Sequence, residues 1–316
     1  MLIHGDKKAW LDRTVVFLFL GLLPVALGAC GGTVTSDEES SLDESAEKCL
    51  GGSRAQYLGI GDSIAFGDNG FIPYTAQARP NDRPFVGYPD LVGRELFHGQ
   101  YQNTGCPGET SASFLDASAP DNGCQALKKD APRSLHVRYT GAQLDKALSI
   151  IAASKRLKAI TLSISGNDLL LLQKACIAAT PTDPAAITTC ISTKLPAAVT
   201  QAGQNVGKIW AAIRAAGFQG ELIYVAQYST DYGNPLFVQA FSAMNSALAT
   251  ATTAVSGKVA DAFTAFSVAS APFQGNACSA GLLIKNPEKN AQPPCDMHPS
   301  RKGRELIADT VEALFR

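Results

Sequence analysis

A short apolar run that ends in a glycine, an aspartate and a serine is the feature that most constrains the fold of this chain. Tyr57, Leu58 and Ile60 lead directly into Gly61-Asp-Ser63. An apolar run of this length bounded by a turn is typical of a buried parallel strand. Open α/β sheets bind ligands at the carboxyl edge of such strands, so Ser63 is a candidate nucleophile. The same residues also suit an ordinary capped glycine turn, and the downstream sequence has to decide between these readings.

Strand patterns alternate with helical patterns along the rest of the chain. Strands are predicted at 101–103, 159–165, 221–226 and 258–262, and helices at 88–96, 143–153, 195–216, 236–255 and 301–315. This alternation is typical of βαβ units, so we expect an α/β fold: a three-layer α/β/α sandwich with a central, mostly parallel sheet. Stretch 117–139 looks irregular, 176–190 looks like a Pro/Thr-rich insertion, and 272–294 looks like a loop.

The first thirty residues are predicted to direct export and to lie outside the fold. Basic residues precede an apolar run from Val15 to Val25 that is too short to span a bilayer comfortably. The run ends in Leu27-Gly-Ala-Cys30, which resembles a bacterial lipobox. We therefore expect a signal peptide over residues 1–29 and a lipid on Cys30 that holds the protein on the membrane. An ordinary secretory signal or a short membrane anchor is the alternative.

An acidic, polar segment follows the lipobox. Residues 31–48 contain almost no apolar side chains, so burial could not offset the entropy lost on ordering them. We expect a flexible tether over 30–50 and one folded domain over 51–316. The hydrophobic fraction of 46% is enough for a sizeable core, and we expect a monomer. A net charge of −1 without a basic stripe argues against nucleic-acid binding.

Eight cysteines in an exported chain predict disulfides. If Cys30 carries lipid, seven cysteines remain and one lacks a partner within the chain. Many pairings are possible, and the simplest joins sequence neighbours and leaves Cys49 unpaired: Cys106–Cys124, Cys176–Cys190 and Cys278–Cys295. Metal binding is the rival explanation, but no Cys-x-x-Cys or His-x-x-x-His spacing occurs, so no metal is expected.

Four turn blocks carry candidate functional residues. The first block, Gly-Asp-Ser, holds Ser63, and the second, Asn-Thr-Gly-Cys-Pro-Gly-Glu-Thr, holds Gly108. The third, Gly-Asn-Asp, holds Asn167, and the last, Asp-Met-His-Pro, holds His298. Each motif is weak alone, but four in this order are a specific signal. Over about residues 55–315, they resemble the SGNH branch of the GDSL esterase/lipase family.

The resemblance implies a serine esterase or lipase that needs no metal or organic cofactor. Ser63 would be the nucleophile, His298 the general base and Asp296 the acid that orients the imidazole. The Ser63 N–H, the Gly108 N–H and the Asn167 side-chain amide would hold the oxyanion of the tetrahedral intermediate. An amide suits that role because it donates hydrogen bonds without titrating.

Two of these assignments have competitors. Gly105 competes with Gly108 for the oxyanion role. Asp296 precedes His298 by two residues, whereas the family usually has Asp-x-x-His, and the expected position is occupied by Cys295. Asp296 could instead cap a helix that begins near residue 299, leaving a backbone carbonyl to orient the imidazole of a Ser–His dyad.

Two rival functions and a broad range of substrates stay open. An α/β-hydrolase would carry Gly-x-Ser-x-Gly at its nucleophile, which Gly-Asp-Ser-Ile-Ala does not match. A noncatalytic cell-surface binding protein on the same fold is the second rival. Long-chain lipids, phospholipids, acetylated polysaccharides and small aryl esters are all compatible with the four blocks.

Overall fold

The structure, a computed structural model, describes residues 54–74 and 85–316. The predicted signal peptide, the lipobox with Cys30, the tether and Cys49 lie outside the described residues.

Five parallel strands form the central sheet. They are β1 (Tyr57–Gly61), β2 (Tyr101–Asn103), β3 (Ala159–Ser163), β4 (Glu221–Val225) and β5 (Lys258–Ala260). Their order across the sheet is β2-β1-β3-β4-β5. Strands β1 and β3 pair over their full lengths, with Tyr57 opposite Ala159 and Gly61 opposite Ser163. The predicted parallel sheet is confirmed.

Helices cover both faces of this sheet. Those of the described residues are α1 (Ser63–Phe66), α2 (Tyr88–Glu95), α3 (Ser111–Leu115), α4 (Cys124–Asp130), α5 (Gln143–Ala153), α6 (Gly166–Ala179), α7 (Pro184–Ala215), α8 (Pro235–Thr253), α9 (Ala262–Ser270) and α10 (Arg301–Glu312). Short 3₁₀ turns occur at Pro132–Ser134, Ala271–Phe273 and Ala313–Phe315. No helix in the described part of the chain is both long and apolar enough to cross a membrane.

Successive residues of a strand pack into two separate cores, one on each face of the sheet, because side chains alternate across a pleated strand. Tyr57 and Ile223 pack with α2, α9 and α10 on one face. Leu58 and Tyr224 pack with α3, α5, α7 and α8 on the other, where Trp210 is fully buried. The architecture is therefore the predicted three-layer α/β/α sandwich.

Helix α7 is longer than the sequence predicted. It begins at Pro184, where Asp183 caps it by accepting a hydrogen bond from the Ala186 N–H at 3.0 Å. The helix then runs through Pro196, although a proline removes one helical hydrogen bond. The segment predicted as an insertion is therefore the end of α6 and the start of α7.

Five helices and a hairpin of the described residues occupy segments in which no such element was predicted. Helices α1 and α3 follow the first two motif blocks, α4 lies within 117–139, α6 follows β3, and α9 follows β5. Strands β6 (Leu283–Lys285) and β7 (Cys295–Pro299) form a two-stranded antiparallel sheet, apart from the central sheet, with β6 inside the predicted loop and β7 after it. Most of these elements are too short to show a clear period, and the four consecutive leucines of α6 show none.

Three disulfides tie neighbouring segments together in the described part of the chain. They join Cys106 to Cys124, Cys176 to Cys190, and Cys278 to Cys295. The simplest pairing predicted from the sequence is thus confirmed. Disulfides of this kind are typical of proteins exported from the reducing cytosol.

We expect reduction to destabilise the protein substantially. The bridges close loops with sequence separations of 18, 14 and 17, and a loop of this size contributes about 3 kcal/mol to the free energy of unfolding. Urea unfolding with and without reductant measures the total. The double variant Cys176→Ser/Cys190→Ser should lose only the contribution that one bridge makes to the free energy of unfolding. An unchanged midpoint after complete reduction would contradict this expectation.

Candidate active site

The end of β1 requires glycine. Gly61 has φ +134°, and a Cβ placed on it would lie 1.9 Å from the carbonyl oxygen of Ser163 on β3. Gln143, the first residue of α5, holds both backbone groups of Gly61. Its Oε1 accepts from the Gly61 N–H at 2.7 Å, and its Nε2 donates to the Gly61 carbonyl at 2.9 Å. The direction in which the chain leaves β1 is therefore set by close packing and by one buried amide.

Ser63 follows as the first residue of α1. Asp62 caps this helix, since its carboxylate accepts from the Ile64 N–H at 3.0 Å. The Ser63 N–H precedes the first intrahelical hydrogen bonds and has no partner among the described residues. Burial raises the pKa of Asp62 to about 7, although the Ile64 N–H and nearby His298 oppose that rise.

The loop after β2 leaves a second backbone N–H without a partner. Gly108 has φ +87°, and a Cβ there would lie 2.6 Å from the Asn122 carbonyl, so the position requires glycine. Its N–H forms no hydrogen bond within the described residues. The N–H of the competitor Gly105 donates to Asn103 Oδ1 at 3.0 Å. Of the two glycines, only Gly108 offers a free donor.

Asn167 lies in the first turn of α6, directly after β3. Its Nδ2 donates to the Glu109 carbonyl at 3.0 Å, and its Oδ1 accepts from Asn122 Nδ2 at 3.1 Å. A primary amide carries two N–H groups, so these contacts fix the orientation of the side chain and leave one donor for a ligand.

Glu109 links the segments that carry the N–H donors of Ser63, Gly108 and Asn167. The sequence analysis did not single it out. Its carboxylate is fully buried and accepts from Ser113 Oγ at 2.6 Å and from Gln143 Nε2 at 2.9 Å. Lys128 Nζ lies 3.6 Å away. Burial raises the pKa of Glu109, while Lys128, Ser113 and Gln143 favour its charged form. Glu109 thereby links Gln143, which holds the end of β1, to the loop that carries Gly108.

His298 and Asp296 lie on β7, two residues apart. Alternate residues of a strand face the same side, so the unusual spacing brings both side chains together. The His298 Nδ1 is hydrogen-bonded to Asp296 Oδ1, which also accepts from the His298 backbone N–H. The alternative role for Asp296 as a helix cap is not observed, because Ser300 caps α10 by accepting from the Gly303 N–H.

Asp68 is a second carboxylate beside the imidazole, and the sequence analysis missed it. Its Oδ2 lies 3.6 Å from His298 Nε2 and accepts from Tyr74 Oη at 2.7 Å. Asp68 comes five residues after Ser63, beyond the first motif block, and this proximity in sequence is the one signal that could have indicated it. Within the described residues, no hydrogen bond joins Ser63 to His298.

Carboxylates on both sides of the ring set the protonation of His298. Burial alone would lower its pKa, but the hydrogen bond with Asp296 and the charges of Asp68 and Asp62 raise it above its ordinary value. For Asp296, burial alone would raise the pKa of the carboxyl group. Its hydrogen bond and charge interaction with His298 oppose burial and lower this pKa below its ordinary value.

One cavity of about 450 Å³ brings most of the predicted site residues together. Ser63, Gly108, Asn167 and His298 line it. Asp296 does not line it and interacts with the cavity through His298. The remaining wall is largely apolar and comes mainly from α6 and α8. A serine hydroxyl, an imidazole and three available N–H donors around one space are the kinds of group that acyl transfer needs.

The described residues include one cluster of potential metal ligands: Cys106, Glu109 and Cys124. Its two sulfur atoms are bonded to each other, so neither is available as a thiolate ligand.

The chain is similar to known proteins in sequence and in fold. Residues 60–306 match the sequence model of the GDSL-like lipase/acylhydrolase family. None of the curated proteins matches the chain. Phospholipase A1 from Streptomyces albidoflavus superposes with a TM-score of 0.54 at 13% identity, covering 81% of this chain and 98% of that one.

Two further solved structures have lower TM-scores. An acetylxylan esterase from Geobacillus stearothermophilus has a TM-score of 0.47 and 14% identity, covering 83% of this chain and 94% of its own. A lipase from a goat rumen metagenome has a TM-score of 0.47 and 15% identity, covering 82% and 96%.

Replacing Asp68 by asparagine should lower the pKa of His298. The substitution removes a negative charge beside Nε2 while keeping the shape of the side chain, so the imidazolium loses one of its stabilising partners. An NMR titration of the His298 ring protons measures the change. Asp116→Asn, at an exposed position on another element, is the matched control. A His298 titration that Asp68→Asn leaves unchanged would show that Asp68 does not face the ring.

Proposed function

Since the chain belongs to the GDSL-like lipase/acylhydrolase family, we propose that it hydrolyses carboxylic esters with Ser63 as its nucleophile. His298 is the general base, Asp296 orients the imidazole, and Ser63 N–H, Gly108 N–H and the Asn167 amide form the oxyanion hole. The observation that carries this proposal is that Ser63, His298 and three N–H donors with free bonding capacity line one cavity.

The histidine supplies the basicity that the serine hydroxyl lacks. Because Asp296 engages Nδ1, the lone pair that accepts a proton is on Nε2. His298 takes the hydroxyl proton as Ser63 Oγ attacks the ester carbonyl, and then passes this proton to the leaving alcohol. Water repeats the sequence on the acyl-enzyme and releases the acid. Asp296 stays ionised throughout and stabilises the imidazolium.

The oxyanion donors are held in place before substrate arrives. Gly61 and Gln143 fix the turn that carries the Ser63 N–H, and Asn122 and Glu109 orient the Asn167 amide. Donors that need no rearrangement stabilise developing charge most effectively. Loss of one such donor typically lowers kcat by about 10²- to 10³-fold.

Asp68 raises the pKa of the general base, His298. With the ring protonated, the imidazolium lies between Asp296 and Asp68, and only the neutral ring can accept the serine proton. Because the pKa of His298 is raised, activity should rise with pH through that raised pKa. In the neutral form the attraction to Asp68 is lost, which frees Nε2 for Ser63.

The amino-terminal segment is part of the proposal as well. Residues 1–29 act as a signal peptide, the Leu-Gly-Ala-Cys motif places a lipid on Cys30, and residues 30–50 tether the folded domain, from residue 51 onward, to the membrane. The protein then works as a monomer on the cell envelope. The three disulfides support export, because such bonds persist in oxidising compartments.

Ser63→Ala should abolish ester hydrolysis without unfolding the protein. Removal of a serine nucleophile costs roughly 10⁴- to 10⁶-fold in kcat. Hydrolysis of a chromogenic short-chain ester and covalent labelling by a serine-directed phosphonate measure the loss. Ser246→Ala, on the exposed face of α8, is the control. A wild-type protein that neither cleaves esters nor takes the label would instead be a noncatalytic binding protein.

Asp296→Asn should lower turnover on the order of 10⁴-fold with little change in KM. Asparagine keeps the size of the acid but cannot stabilise the imidazolium that forms during attack. Steady-state kinetics on the same ester measure both parameters, with exposed Asp309→Asn as the control. Near-normal turnover beside an inactive His298→Ala variant would identify a Ser63–His298 dyad and remove Asp296 from the mechanism.

A further inference from the structure

The cavity that contains Ser63 continues into an apolar groove with walls from α6, α7 and α8. We infer that this groove binds the acyl chain of the substrate, and that the protein prefers medium-length fatty acyl esters of about eight carbons over acetyl esters. This inference rests on the proposed function, because the chain length matters only if an acyl group is held at Ser63.

Apart from Leu169, which also packs against the core that contains Trp210, the side chains of the groove belong to none of the hydrophobic cores of the described residues. The helices contribute apolar residues that line the cavity and stay partly exposed: Leu169, Leu170, Leu172, Ile191, Phe237 and Phe241. Helix α6 carries four consecutive leucines, and none of the four is fully buried. A solvated helix face would ordinarily be polar. Partly exposed leucines and phenylalanines around a cavity suit an apolar ligand.

Charge is nearly absent from this wall. Among the lining residues that α6, α7 and α8 contribute, the only charged one is Lys174. Its ammonium group donates to Asn122 Oδ1 at 2.8 Å, beside the candidate oxyanion donors. The lining carboxylates, those of Asp62 and Asp68, follow β1 instead. The groove therefore has an apolar wall from α6, α7 and α8, and the carboxylates of Asp62 and Asp68 lie on the β1 side of the cavity.

The apolar wall begins at the candidate oxyanion donor Asn167. At the carboxyl edge, Gly108 follows β2, Ser63 follows β1, Asn167 follows β3, and α8 follows β4. The leucines come directly after Asn167 on α6, and this helix begins beside the loop of Gly108, because Asn167 and Lys174 both contact Asn122. An ester whose carbonyl oxygen meets Asn167 can extend its acyl chain along α6 towards α8.

The length of the wall gives the preferred chain length. From Asn167 to Gln173, α6 advances about 9 Å along its axis. An extended chain of single bonds advances about 1.2 Å per bond, since a peptide residue spans at most about 3.6 Å over three bonds. The wall therefore accommodates roughly seven bonds, which corresponds to an octanoyl group. An acetyl group would leave most of this surface against water.

Hydrolysis of 4-nitrophenyl esters from acetyl to dodecanoyl, below their aggregation limits, tests the inference. Each methylene that is fully buried should raise kcat/KM by about fourfold. We expect kcat/KM to rise from acetyl to about octanoyl and then to level off. A profile that is flat, or that falls from acetyl onward while acetyl ester is cleaved, would overturn the inference and leave the proposed esterase activity standing.

Variants of the wall test its location. Ala240→Trp places an indole in the groove and should lower the ratio of kcat/KM for octanoyl over acetyl ester by tenfold or more. Phe241→Ala should lower the same ratio severalfold, and it provides a second reading if the tryptophan variant does not fold. Phe273→Ala removes an aromatic side chain that is exposed outside the cavity and should leave the ratio unchanged. Equal ratios in the wild type and both wall variants would contradict the assignment.

Ligand binding to the Ser63→Ala variant tests the acyl-binding groove independently of the proposed hydrolysis. Calorimetry with octanamide and butanamide measures chain binding without turnover, and we expect octanamide to bind at least tenfold more tightly. This result would support the groove even if the wild type cleaved no ester, in which case only the proposed hydrolysis would fail. Equal affinities for the two amides would rule out the groove.

Discussion

The site depends on the close approach of two parallel strands at one glycine. Gly61 packs so tightly against the Ser163 carbonyl on β3 that no side chain fits, and Gln143 holds its N–H and its carbonyl together. The chain then turns at once into α1, which Asp62 caps. Ser63 therefore emerges at the carboxyl edge with an N–H that has no partner among the described residues.

The same buried network extends across the edge of the sheet. Glu109 accepts from Gln143, which binds the end of β1, and its backbone carbonyl accepts from the Asn167 amide on α6. It also follows Gly108 directly. Through its carboxylate and its backbone, Glu109 thus connects the three segments that present N–H donors to the cavity. A fully satisfied network of this kind rigidifies its surroundings, whereas the loss of one partner would leave a buried charge uncompensated.

His298 enters the cavity from outside the central sheet. It lies on the small antiparallel sheet that is joined to the preceding loop by the Cys278–Cys295 disulfide. The strand geometry orients Asp296 and His298 to one side, so an i, i+2 spacing achieves the contact that a longer spacing achieves on a turn or helix. Asp68 then approaches the opposite nitrogen from the loop after α1, and the basicity of the ring results from both carboxylates.

The sequence by itself determined the alternation of strands and helices, the parallel sheet and the candidates Ser63, Asn167 and His298, because periodicity and turn chemistry are local properties. It offered the disulfide pairing only as the simplest of many. It left open the choice between Gly108 and Gly105, and it missed Asp68. The choice of glycine depends on which N–H groups already donate a hydrogen bond within the protein. The role of Asp68 depends on its contact with His298, which is far away in the sequence. Only the tertiary structure decides them, since hydrogen-bond saturation and through-space contact have no period that a sequence could display.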